Sequence, residues 1–72
     1  MSDLATRLTD LLDENRLSVN AFAKKVGVSQ QAIGKIVRGE TLNPKNILEI
    51  AAALNVDPHW LKTGEGDSDP SY

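Results

Sequence analysis

VNAFAKKVGVSQQAIGKIVR, residues 19–38, holds two short apolar stripes separated by one glycine, and the rest of the chain can be read outward from it. Ser18 stands where an N-cap would satisfy the free amides of a helix start, and Val19, Phe22, Ala23 and Val26 follow at helical spacing. Gly27 stops that helix, because glycine accepts the left-handed conformation that often follows a last helical turn. Ser29 caps the next helix, with Ile33, Ile36 and Val37 turned inward and Gly39 closing it.

Two short helices joined by Gly27-Val28-Ser29 meet the geometric requirement of a helix-turn-helix. Ala23 is small where the pair would cross, and Phe22, Val28, Ile33 and Ile36 would seat it on the remaining chain. Upstream, Leu4, Leu8, Leu11 and Leu12 mark an amphipathic helix that Ser2 or Asp3 can cap and that ends near Asn15-Arg16. Downstream, Glu40 to Asn43 reads as a loop, and Asn43-Pro44 opens a fourth helix, since proline suits the first helical position. Leu42 and Ile47 would then form a hydrophobic staple, and Ile47, Leu48, Ile50, Ala51 and Leu54 a buried stripe. Asp57-Pro58 starts a short fifth helix through Trp60 and Leu61, ended near Gly64. The expected architecture is all-α: a compact five-helix domain over residues 1–64, with residues 65–72 a flexible polar tail or the start of a linker.

Composition narrows the function. The 72 residues make one domain, and with 40 % hydrophobic residues they supply one core. There is no cysteine, which removes disulfides, thiolate metal sites and thiol nucleophiles. His59 is the single histidine, so it reads as a surface residue and no metal or cofactor is expected. No apolar run approaches the roughly 20 residues of a membrane span, and Met1-Ser2-Asp3 lacks the regions of a signal peptide, so a cytoplasmic location is expected. Net charge is −2, but it is unevenly spread. Residues 24–45 carry Lys24, Lys25, Lys35, Arg38 and Lys45 against Glu40, a local +4 between flanks of −2 and −4. Local charge draws a protein toward phosphate more directly than its total does. A plain solvated face is the less favoured reading of the same charge pattern.

The sequence resembles the Cro and repressor family of lambdoid phages, a domain type also found in many bacterial regulators. The resemblance runs from about Leu4 to Gly64. It is carried by Ala23, Gly27, Ile33, Ile36 and Gly39, by the stretch ILEIAAAL at 47–54, and by Trp60-Leu61 followed by Gly64-Glu65-Gly66. It implies a lambda-repressor-like fold in which helices two and three form the motif and helix three enters the major groove of double-stranded DNA. The expected function is transcriptional repression, by a Cro-like protein or by the N-terminal domain of a longer repressor, on a two-fold operator bound as a homodimer. Helix five and neighbouring loops would make the contact between subunits, with Trp60 either there or in the core.

On that reading Gln30, Gln31, Gly34 and Lys35 are the base-reading positions. A glutamine amide donates and accepts in one plane and so matches adenine N6 and N7, and Lys35 can reach either guanine O6 and N7 or a phosphate. Without the surrounding motif, Gln30 and Gln31 would be an ordinary polar face. Gly34 either lets the backbone approach the groove or is unread. Arg38, Asn43, Lys45 and Asn46 are phosphate candidates, together with the first-turn amides of helices two and four. Ser29 joins them, although capping is its first role. Lys24 and Lys25 are divided between phosphate and solvent. One departure from the family pattern is Val19, where a phosphate-binding glutamine is common; that contact is either missing or moved to Ser18 or Asn20. A basic N-terminal arm is also missing.

No serine or threonine has a histidine-plus-acid arrangement around it, so an enzyme is not expected, and neither is a small-molecule ligand or a membrane. A competing reading is an antitoxin that uses the same fold and also holds a toxin partner, but the polar residues after Gly64 make a poor partner-binding extension.

Overall fold

The structure is a computed structural model that describes residues 3–66. Among these residues it contains five helices and no strand: α1 (Leu4–Glu14), α2 (Val19–Val26), α3 (Gln30–Val37), α4 (Ile47–Leu54) and α5 (Pro58–Thr63). The expected all-α class and helix order are therefore observed. Residues 67–72, most of the expected tail, lie outside the described residues; Glu65 still donates its N–H to Thr63 Oγ1 at 3.1 Å.

Four helix starts are capped by short polar side chains. Asp3 Oδ1 accepts from Thr6 N at 2.9 Å, Ser18 Oγ from Ala21 N at 3.0 Å, Ser29 Oγ from Ala32 N at 3.1 Å, and Asp57 Oδ2 from Trp60 N at 3.0 Å. Each bond satisfies one of the amides that a helix start leaves without an intrahelical partner. Gly27 takes φ +92°, and the amides of Gly27 and Val28 both close on the Ala23 carbonyl. That double closure turns the chain sharply from α2 into α3.

The core is built where the stripes meet. Leu8 of α1, Phe22 of α2, Ile33 of α3, Ile50 of α4 and Leu61 of α5 are all essentially inaccessible to water. Each helix therefore contributes one fully buried anchor, and α3 is held between α1 and α2 with its other side left open. Ala23 is buried at the crossing, as its size predicts.

Helix α4 departs from expectation. It starts at Ile47, one turn later than Pro44, with Asn46 as N-cap and no side-chain capping bond. The staple disappears with that change of register: Leu42 is 73 % exposed, while Pro44 is buried at the wall of a cleft beside Ile36 and Ile50. Pro44 thus anchors the loop and does not initiate the helix. Leu48, expected inside, is 65 % exposed. It lies about 100° around the helix from Ile47, so the inward stripe that holds Ile47, Ile50, Ala51 and Leu54 passes it by.

Candidate nucleic-acid interface

Helix α3 is fixed from beneath by Ile33 and Ile36 and shows its opposite face to solvent. Gln30, Gln31, Lys35 and Arg38 are exposed on that face. Gln30 and Gln31 occupy the first turn, immediately after the Ser29 cap, so the amide-bearing side chains stand at the end of the helix that would enter a groove first.

Two depressions flank this ridge. One is lined by Ser29, Gln31, Lys35, Lys45 and Asn46 over an apolar floor that includes Ile36 and Ile50. The other is lined by Val19, Gln30, Gln31, Gly34, Val37 and Arg38. Gln31 borders both. The fold therefore brings Lys45 and Asn46 of the loop before α4 to the side of α3, although at least seven residues separate them from its last turn. Asn43 is exposed on the same loop, and Asn20 is exposed in the first turn of α2.

Charge and backbone polarity support one docking point in particular. The α4 start has no side-chain capping bond, so no side chain competes for the amides of its first turn, and Lys45 directly precedes its N-cap. Glu49 in that turn opposes an anion, and Lys45 offsets it. At α2 and α3 the Ser18 and Ser29 hydroxyls are engaged in capping. Val19, where the resembled family often has glutamine, is half-buried and packs against the core.

Gly34, expected among the base-reading positions, does not lie open on that face. It is buried, and what covers it is the Arg38 guanidinium: a Cβ added at Gly34 would meet Arg38 Nη1 at 3.0 Å. Arg38 also donates from Nε to the Glu40 carboxylate, forming an ion pair in which both side chains are more than half exposed. That hydrogen bond, then the Arg38 charge and to a lesser degree that of Lys35, hold the Glu40 carboxyl below the usual carboxylate range. By sequence alone Arg38 is a phosphate candidate and Glu40 only the first residue of a loop.

Arg7 is the other residue that sequence reasoning missed. It is 6 % exposed, and it donates from Nε to the Leu61 carbonyl and from Nη2 to the Lys62 carbonyl, each at 2.9 Å. Its signal was present: Arg7 falls within the Leu4, Leu8, Leu11 stripe, where a charge without a partner would be costly. His59 is exposed, with Nε2 3.8 Å from a Glu65 carboxylate oxygen. Among the described residues, no group of three or more His, Cys, Asp or Glu side chains is placed to hold a metal ion.

Comparison with known proteins agrees with this geometry. The model of a helix-turn-helix family matches residues 8–61. Over 62 residues the chain is 42 % identical to the HTH-type transcriptional regulator PrtR of Pseudomonas aeruginosa, covering 86 % of this chain and 24 % of that protein. Over 67 residues it is 34 % identical to the HTH-type transcriptional regulators for the conjugative elements R391 of Providencia rettgeri and SXT of Vibrio cholerae, covering 93 % of this chain and 31 % of each. The chain thus spans less than a third of the length of these relatives.

Proposed function

The chain belongs to the helix-turn-helix family, and from that premise we propose that it is a sequence-specific DNA-binding transcriptional regulator that represses by occupying a two-fold operator as a homodimer. The observation that carries the reading is the open face of α3, where Gln30, Gln31 and Lys35 stand exposed within the segment of local charge +4. Gln30 and Gln31 supply the planar donor–acceptor pairs that read adenine, and Lys35 reaches guanine or a phosphate beside it. Gly34 contributes space on the reading face in place of a side-chain contact.

The phosphate set is Asn43, Lys45 and Asn46 with the first-turn amides of α4, which no side chain caps, joined by Asn20 and the start of α2 on the other side of the ridge. Ser29 holds its own helix and adds at most a shared contact. Two phosphate clamps on either side of a reading helix fix its register, while the bases supply the sequence preference. Repression follows from occupancy, which excludes polymerase from the operator. Such a regulator works in the cytoplasm of a bacterial cell, consistent with the sources of its relatives. Among the described residues no helix is long and apolar enough to cross a membrane.

Selection from random duplexes tests this directly. We expect enrichment of a motif with two half-sites about one helical turn, roughly 10 base pairs, apart. Affinity for the enriched duplex should fall steeply with salt, and titration should saturate at two chains per duplex. No enrichment together with salt-independent binding would overturn the proposal; enrichment of a single half-site bound by one chain would remove the homodimer.

A further inference from the structure

Gln30, Gly34 and Arg38 lie at i, i+4 and i+8, one stripe of α3 and its C-cap. A helical side chain leans toward the N-terminus of its helix, so Arg38 reaches back over the preceding turn. There it meets Gly34, the one position of α3 with no side chain to obstruct it. The guanidinium occupies that space, with Nη1 at 3.0 Å and Nη2 at 3.9 Å from where a Cβ would stand. Its Nε is engaged by Glu40. The planar group is thus held at Nε with its Nη atoms over Gly34, and Arg38 lines the same depression as Gln30 and Gln31.

A side chain waiting for phosphate at the end of α3 would extend away from the helix. This one is folded back by about one turn, roughly 6 Å, toward the end of the helix that enters the groove. Two parallel N–H donors in a fixed plane match the O6 and N7 acceptors of guanine. We propose that Arg38 is a base-reading side chain selecting guanine, that Gly34 is the slot admitting it, and that Glu40 is its positioning residue. The inference rests on the DNA-binding reading above and gives Arg38, a phosphate candidate by sequence, a base-reading role within it.

Selection from random duplexes with the unmodified protein and with Arg38→Ala, Glu40→Gln and Gly34→Ala tests it. Arg38→Ala should erase a guanine preference of roughly 5- to 150-fold at one position of each half-site and leave the adenine positions unchanged. Glu40→Gln should weaken that same preference while binding to unrelated duplex stays equal or rises, because a negative charge has left the interface. Gly34→Ala, which favours the helix, should weaken the guanine preference, because the added Cβ pushes the guanidinium aside by a few tenths of an ångström. Thermal melting followed by circular dichroism identifies any variant that fails to fold, and the exposed Glu40→Gln provides an independent test from the helix substitutions. If the unmodified protein enriches a motif and the folded variants return the same motif, with Arg38→Ala only weakening all duplexes alike, Arg38 is a phosphate contact and this inference falls alone. If the unmodified protein enriches nothing, the DNA-reading proposal falls and takes this inference with it.

Discussion

Arg7 joins the two ends of the domain through hydrogen bonds to the carbonyls of Leu61 and Lys62 in the last turn of α5. Those carbonyls have no partner within the helix, and a buried cation that binds them also answers the negative end of the helix dipole. Gly64 is part of the same arrangement. Its φ is +81°, and a Cβ there would stand 2.8 Å from Arg7 Nη1. Arg7→Leu should therefore lower unfolding free energy by roughly 3–6 kcal/mol in urea denaturation, since each of these two hydrogen bonds to a charged group is worth about 1.5–3 kcal/mol. In a domain this small that is a large share of the total. Gly64→Ala should cost about 1–2 kcal/mol for the left-handed backbone alone. A stability within error of the unmodified protein for both variants would remove Arg7 as the clasp. Little of this was legible in advance. An arginine in a leucine stripe announces that it needs a partner, but not that the partner lies at α5.

Elements were far more legible. Caps, turn glycines and 3.6-residue stripes act within about four residues of chain, so Ser18, Gly27, Ser29, Asp57 and Gly64 could be assigned from sequence alone. Ser18→Ala and Ser29→Ala should each cost about 1 kcal/mol, read as lower denaturation midpoints, because each removes a capping acceptor at a start of the two-helix motif. The Asp3 cap adds a pH dependence. Its carboxyl is held below the ordinary carboxylate range, chiefly by the Thr6 backbone hydrogen bond. Its contribution is thus fully present above the ordinary range and lost as pH falls through the depressed value. Asp3→Asn keeps a capping oxygen without that titration, so its melting temperature should fall less than that of the unmodified protein between neutral pH and pH of about 3. Equal losses would rule out the Asp3 cap as a source of acid sensitivity. The α4 start was misread for a tertiary reason: Pro44 has a local signature of helix initiation, but its ring is buried beside Ile36 and Ile50, and that placement delays the helix to Ile47.

At the scale of the whole molecule, a chain of net charge −2 gathers its excess of cations into residues 24–45, and the fold sets part of that segment along one face. Lys45→Ala should weaken binding to all duplexes alike and reduce the slope of log affinity against log salt by about 0.9, the value of one phosphate contact, with the selected motif unchanged. A changed motif would mean that Lys45 touches bases. Sequence by itself determined the five helices, the turn between α2 and α3, most of the core and the exposure of Gln30, Gln31 and Lys35, because periodicity and capping are local and repeat every turn. Tertiary structure decided what covers what: Arg7 on the end of α5, Arg38 over Gly34, Leu48 outward and Pro44 inward. Those outcomes depend on which surfaces meet once the helices assemble. For the reading face this matters most, since it transfers Arg38 from the end of a helix to its middle and gives Glu40 a task that its position in the chain did not suggest.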